Sequence, residues 1–195
     1  MKNNLIIVTS IRPDFIRLEH IIKKCEKEFN LTLLHSGQHF QDTLFKVFLD
    51  DLSIPYPKYD LGLGKKYKTH YELSAMIGVE LIKLIEKENL KPDGILFLGD
   101  SNAVLGTVAL RKEYGDSVKL IHVESLMRSG DFLMMEEINR SICDKVSHIL
   151  FTYHEDYLIH AKNEGLLDKD IFVVGNTIVE VANDIKNKLI KENSY

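Results

Sequence analysis

Apolar residues fall into two rhythms along this chain. Short, nearly unbroken apolar runs occupy residues 5–9, 31–34, 95–98, 120–123, 149–152 and 171–174. Runs of this length, bounded by polar residues or glycine, predict strands buried on both faces. Between them, apolar residues recur every three or four positions. Phe15, Leu18, Ile21 and Ile22 predict a helix beginning near Pro13, whose fixed φ suits a first helical turn. Leu73, Met76, Ile77, Val79, Leu81, Ile82 and Ile85 predict a long amphipathic helix over 71–88, with a wide apolar stripe. Shorter helices are predicted over 42–49 and over 102–112, the latter capped by Asn102, and a last one over 178–191. Pro55 and Pro57 predict a loop. A further helix opens near Glu136. Ile138 and Ile142 are read as its core-facing stripe, which turns Glu136 and Arg140 together to the opposite face.

Strands alternating with helices predict an α/β fold: a three-layer, Rossmann-like, doubly wound parallel sheet. In such sheets ligands sit beyond the carboxyl ends of the strands. The polar residues that follow the predicted strands are Arg12, Gln38 with His39, Asp100, and His122 with Glu124. Their convergence on one rim is the physical argument for a site, although polar loop ends are common in any sheet.

Composition narrows the function classes. The chain has 195 residues, 45% hydrophobic and 28% charged, with a net charge of −4. That balance gives no electrostatic reason to bind nucleic acid. No apolar run reaches the length of a membrane helix, and the first run is too short for a signal peptide, so the expected compartment is the cytoplasm. Cys25 and Cys143 are isolated and read as buried thiols. His35 and His39 straddle a strand end and a turn, a poor metal pair. No cofactor and no metal is expected.

Each candidate has two readings. Arg12, at a strand-to-helix turn before Pro13, is either a surface arginine or a phosphate ligand aided by the helix N-terminus. Ser36-Gly37-Gln38-His39 is either a plain turn or a sugar-binding one, the glycine allowing close backbone approach. Asp100 is a helix-entry residue or a site acid. Glu136 and Arg140 form a solvent-exposed pair or part of the site. Carboxylates gathered beside Arg128 and Arg140 suit proton chemistry on an anionic substrate.

Together these segments resemble the non-hydrolysing UDP-N-acetylglucosamine 2-epimerases. That family's GTRPE is similar to Ser10-Ile11-Arg12-Pro13-Asp14, and its TGQH to Ser36-Gly37-Gln38-His39. Its GD resembles Gly99-Asp100. Its HVEAGLRS is similar to the stretch from His122-Val123-Glu124 to Ser125-Leu126-Met127-Arg128-Ser129. Its PEEINR is similar to Met135-Glu136-Glu137-Ile138-Asn139-Arg140, followed by Asp144, and its GN to Gly175-Asn176. Any one motif is weak; six in order are strong.

The resemblance implies epimerisation of UDP-GlcNAc at C2: proton abstraction, loss of UDP to leave a glycal, and re-addition after reprotonation on the other face. It implies Asp100, Glu124 and Glu136 as the acid/base carboxylates. Arg12, Gln38, His39, Arg128, Glu137 and Arg140 become the substrate-binding set. It also implies one half of a GT-B-like, two-domain architecture, with residues 1–175 as the amino-terminal domain and 176–195 as a junction helix towards a second domain. On that reading the stretch alone is expected to be inactive. Its partners are then a UDP-sugar, a separate second-domain chain, and a homo- or hetero-oligomer, with no nucleic acid and no membrane. Three departures stand out: Ser10-Ile11 replaces Gly-Thr, Leu126 replaces a glycine, and Met135 replaces a proline. A leucine would be strained if that glycine needs positive φ. The competing readings are half of a GT-B-type glycosyltransferase, and a non-catalytic assembly subunit or remnant of a split epimerase.

Overall fold

Every ladder in the sheet is parallel, as unbroken apolar strands require. The computed structural model describes residues 2–37 and 49–192. Its strands are β1 (Asn4–Thr9), β2 (Asn30–His35), β3 (Tyr59–Asp60), β4 (Gly94–Leu98), β5 (Lys119–Ser125), β6 (Ile149–Thr152) and β7 (Asp170–Val173). They lie in the order β3-β2-β1-β4-β5-β6-β7. The chain starts mid-sheet, walks out to β3, crosses back, and walks the other way to β7. The direction reverses between β1 and β4, which opens a crevice at their carboxyl ends.

Helices cover both faces. They are α1 (Arg12–Glu28), α2 (Leu63–Lys66), α3 (His70–Lys87), α4 (Gly106–Tyr114), α5 (Met135–Val146), α6 (Leu158–Asn163) and α7 (Thr177–Glu192). The period-two alternation of the strands sorts the core. Ile6, Val8, Ile95, Phe97 and Leu120 meet Leu73, Ile77, Leu81 and Ile85 of α3 and Leu110 of α4. Leu5, Ile7, Leu96, Leu98 and Val123 meet Phe15, Leu18 and Ile22 of α1 on the other face. The three-layer, doubly wound expectation is met.

Several local expectations are corrected. β3, α2 and α6 were not foreseen; two to six residues carry too little periodicity. Asn102 does not cap a helix. It opens a 3₁₀ turn, Asn102–Leu105, and its amide meets the His70 ring at 3.1 Å. Val79 is 38% exposed, so the α3 stripe is narrower than predicted. Cys143 is buried but Cys25 only half so. The phase of α5 is turned: Ile138 is 42% exposed, while Glu137, Asn139, Cys143 and Asp144 face inward. This helix lies over the polar carboxyl end of the sheet, where hydrogen bonds and not apolar area set its rotation. The helix read over 42–49, and Gln38 with His39, lie outside the described residues apart from Leu49, which is buried and helical.

α3 and α4 touch through glycine. A Cβ on Gly78 would lie 2.4 Å from the Ala109 Cβ and 3.3 Å from the Gly106 carbonyl. Gly78→Ala gains about 1 kcal/mol of helix propensity but forces overpacking that costs about 1–3 kcal/mol. We expect a net loss of stability in urea unfolding, and a favourable coupling when Ala109→Gly is added.

Candidate functional site

The rim begins where β1 runs into α1. Ile11 occupies the N-cap position without a side-chain oxygen, so the helix is capped from within. One carboxylate oxygen of Asp14 accepts from the Ser10 N–H at 2.7 Å and the Ile11 N–H at 3.0 Å. Burial pushes the Asp14 carboxyl up to about 6, against these hydrogen bonds and the Arg17 charge. Arg12 is the first residue of α1 and stays exposed at the helix's positive end. Gly37, at φ +70°, is close-packed for a reason internal to the fold. A Cβ there would meet Asp60 Oδ1 at 2.5 Å and the Gly62 backbone at 2.7 Å.

Glu124 sits at a break in the β5–β6 ladder, where the register shifts between Val123 and Ser125. Its φ of +69° is a left-handed conformation that glutamate rarely adopts. Such a bulge re-aims a side chain. The Glu124 carboxylate, 14% exposed, accepts from Arg17 Nη1 at 2.8 Å. Burial raises its pKa above the ordinary range, Arg17 opposes this, and the Asp100 charge adds to it. Arg17 was missed at the sequence level. One helical turn on from Pro13 it reads as an ordinary polar position, and only the packing of α1 beside β5 brings it to Glu124.

Beneath the rim lies a closed ionic cluster. His122 is fully buried and hydrogen-bonds Asp144 Oδ1 through Nδ1 at 2.6 Å and the Gly99 carbonyl through Nε2 at 2.8 Å. Both ring nitrogens face acceptors, which favours the doubly protonated ring. Burial disfavours that charge, but Cys143 and the Asp144 carboxylate together outweigh it and hold His122 well above its usual value. The second Asp144 oxygen accepts from the Leu126 N–H at 3.0 Å and from Arg128 at 2.8 Å. Burial pushes Asp144 up, yet His122 and Arg128 together keep it below the usual carboxylate range. Arg128 then grips Glu164 with two bonds of 2.7 and 3.1 Å.

A second chain of contacts runs through α5. Glu137 is 1% exposed and accepts from the Ser129 N–H, the Ser129 hydroxyl and the Gly130 N–H at 2.9–3.1 Å. Burial works against its charge; these donors and Arg140 outweigh it and keep the carboxyl low. Arg140 bridges Glu137 at 3.0 Å and Asp100. Asn139 donates to the Asp100 carbonyl at 2.8 Å.

The structure therefore brings Asp100 and Glu124 together at neighbouring strand ends, with Arg12 on the same rim. Glu136 lies in the first turn of α5 and is exposed. Arg128, Glu137 and Arg140 are placed as ties within the protein. The Arg128 side chain is 6% exposed and wholly engaged. Tyr153 is a further unforeseen neighbour. Its ring is half-buried against Glu124, and burial and that charge push its hydroxyl up to about 12.

This fold and rim define a Rossmann-like domain with two carboxylates at the carboxyl ends of neighbouring strands, next to the topological switch point. The family model for UDP-N-acetylglucosamine 2-epimerase matches residues 23–194, and the chain belongs to that family. A UDP-N-acetylglucosamine 2-epimerase of Methanocaldococcus jannaschii is 36% identical over 91% of this chain and 47% of its own length. A UDP-2,3-diacetamido-2,3-dideoxy-D-glucuronate 2-epimerase of Pseudomonas aeruginosa is 33% identical over 87% of this chain and 47% of its own. The crystal structure of the M. jannaschii enzyme in complex with UDP-GlcNAc and UDP superposes with a TM-score of 0.84 at 35% identity, covering 98% of this chain and 51% of that one. The chain thus spans about half the length of the curated relatives it matches. The expected half of a GT-B-like architecture agrees with this coverage.

The ionic cluster makes a testable pH dependence. Asp144 has a folded pKa below its ordinary 3.8, so its contribution is present above that value and lost as pH falls through the folded one. His122 is raised above 6.5, so its contribution is whole below that value and lost as pH rises through the folded one. Asp144→Asn leaves two buried cations short of a partner and should cost about 3–5 kcal/mol. Urea unfolding from pH 3 to 8 should show the loss, together with a flattened acid limb.

Proposed function

We propose that this chain carries the proton-transfer half of a 2-epimerase acting on a UDP-linked 2-acetamido sugar. The observation that carries the reading is the pair Asp100 and Glu124. Two carboxylates from adjacent strand ends meet at the crevice, and burial and mutual repulsion raise Glu124. Inversion at C2 needs such a pair. One group takes the C2 proton while the C1–O bond breaks, its electrons leave on UDP, and a C1=C2 double bond forms. A proton then returns to C2 on the other face as UDP oxygen re-attacks C1. The C2 proton is weakly acidic, so a base with raised affinity is useful and the departing diphosphate needs positive charge. Arg12 at the α1 N-terminus is suited to that role. Glu136 is the third carboxylate of the reading. It opens the helix whose Asn139 already holds the Asp100 carbonyl.

The two relatives are named for different sugars that share a UDP and a 2-acetamido group. We therefore assign the class of sugar and leave glycosyltransfer aside, because an acid/base pair at C2 serves no purpose there. No described helix is long and apolar enough to cross a membrane, and the reading keeps the cytoplasm as its compartment. On this reading a second body completes the cleft, as the remaining half of the longer relatives would. Exposed apolar residues on both sides of the rim support this: Phe132, Leu133 and Met134 before α5, and Val173, Val174 and Ile178 at the β7–α7 junction. An assembly subunit without catalysis is favoured by one observation only. Leu126 holds φ +63°, and the turn next to Glu124 is strained accordingly.

The test is nuclear magnetic resonance of UDP-GlcNAc in D2O with this chain, alone and with a chain supplying a second half. We expect conversion to the manno epimer, with deuterium at C2, in the completed assembly. Asp100→Asn, Glu124→Gln and Glu136→Gln should each slow it about a hundredfold or more, while UDP affinity by calorimetry changes little. Near-wild-type turnover by these variants would end the reading.

A further inference from the structure

Gly99 at φ +72°, Glu124 at +69° and Leu126 at +63° are left-handed residues at the ends of β4 and β5. Such conformations persist only where the surroundings over-determine them. Here the bonds that hold them run to one buried pair, His122 and Asp144. His122 Nε2 lies 2.8 Å from the Gly99 carbonyl, and the Gly99 N–H donates to the Val123 carbonyl at 3.0 Å. Both backbone polar groups of Gly99 are therefore tied to β5. Asp100, the next residue, leaves β4 from this anchored point. On its other side the His122 ring lies 2.6 Å from Asp144 Oδ1, and Asp144 Oδ2 accepts from the Leu126 N–H at 3.0 Å. Glu124 stands between His122 and Leu126 in the chain. A Cβ on Gly99 would lie 3.5 Å from both Arg17 Nη1 and Glu124 Oε2, so that ion pair rests over the Gly99 backbone.

We propose that His122 is a positioning residue for the rim carboxylates, held as an imidazolium whose two N–H groups clamp Gly99 to Asp144 and so fix Asp100 against Glu124. The assignment rests on the reading of those two carboxylates as the acid/base pair. The charge follows from the hydrogen-bond inventory. A carbonyl can only accept, so Nε2 carries a proton. Asp144 already accepts from Arg128 at 2.8 Å and from a backbone N–H, donors that keep it ionised. An ionised carboxylate can only accept, so Nδ1 carries a proton as well. Charge-assisted bonds of this kind are roughly twice as strong as neutral ones, which suits a brace on strained backbone. Neither proton is open to a substrate, because the ring is wholly buried and both N–H groups are engaged. His122 therefore acts through Asp100 and Glu124 and is not itself the acid or base. The titratable groups facing it are Asp144 and Cys143 from α5 and Glu124 in β5. Its charge favours the ionised form of Glu124, against the effect of burial.

The experiment is nitrogen-15 nuclear magnetic resonance of the histidine-labelled chain, with the His122 ring assigned through its own backbone. It needs no turnover, so the proposal can fail while the epimerase reading stands. Both ring nitrogens of His122 should stay protonated from about pH 5 to about pH 8, across the range where an ordinary histidine loses one proton. An unprotonated ring nitrogen at neutral pH overturns the proposal. The positioning role is read in His122→Gln, which can offer an N–H to Gly99 but carries no charge. Carbon-13 titration of the Glu124 carboxyl, assigned by its loss in Glu124→Gln, should show the midpoint moved up in His122→Gln, because a cation has gone. In the completed assembly the same variant should lower kcat about a hundredfold, the scale of a small misplacement of reacting groups, with KM for the UDP-sugar nearly unchanged. A Glu124 midpoint unmoved or lowered, or a loss confined to KM, overturns the role. If His122→Gln does not fold, the protonation state of the ring in the unaltered chain decides.

Discussion

Asp144 is a carboxylate with no access to water, and both its oxygens are spoken for. One holds the His122 ring; the other holds Arg128 and the Leu126 N–H. Removing a carboxylate from water is expensive unless each lone pair finds a donor. Here the donors come from β5 and from the turn after it, and Arg128 in turn donates to Glu164 in the segment after α6. Four parts of the chain are therefore held at one point. The Leu126 bond has a further effect. A leucine at φ +63° costs on the order of 1–2 kcal/mol, and the buried bond to Asp144, together with complete burial of the side chain, holds it there.

The rim uses this foundation. His122 reaches the Gly99 carbonyl, and so fixes the end of β4 against β5. Asp100 follows Gly99, and Glu124 follows the His122-Val123 pair. The two carboxylates are thus positioned by one buried imidazole between their strands. Glu137 and Arg140 act from the other side. Glu137 gathers the Ser129 and Gly130 donors, while Arg140 steadies Asp100. Residues that suggest anion recognition by their type are used here to hold other residues. Strain remains at Glu124, as at many sites where a side chain must point against the run of its strand.

The separation of roles among the arginines follows from burial. Arg17 and Arg128 lie against carboxylates in partly or wholly buried settings, where an unpaired charge on either side would be costly. Arg12 stands in solvent at the head of α1, next to the positive end of a helix and beside the crevice. Its difference from those two arginines is invisible in residue type.

Much of the molecule was legible in the sequence, because strands buried on both faces need continuous apolar runs and the helices covering them need a periodic stripe. Those two constraints set the parallel sheet and its crossovers; the ordered motifs then located Asp100 and Glu124 at strand ends. The strain foreseen at Leu126 is also present in the fold. What tertiary structure alone decided is the environment of each polar group. α5 turns Glu137 and Asn139 inward and Ile138 outward, against its apolar pattern, because its neighbours offer donors and carboxylates. Arg17 meets Glu124 across 107 positions of sequence, and Tyr153 meets Thr177 across 24. Pairing at such separations depends on how strands and helices stack in space, and local periodicity carries no record of it.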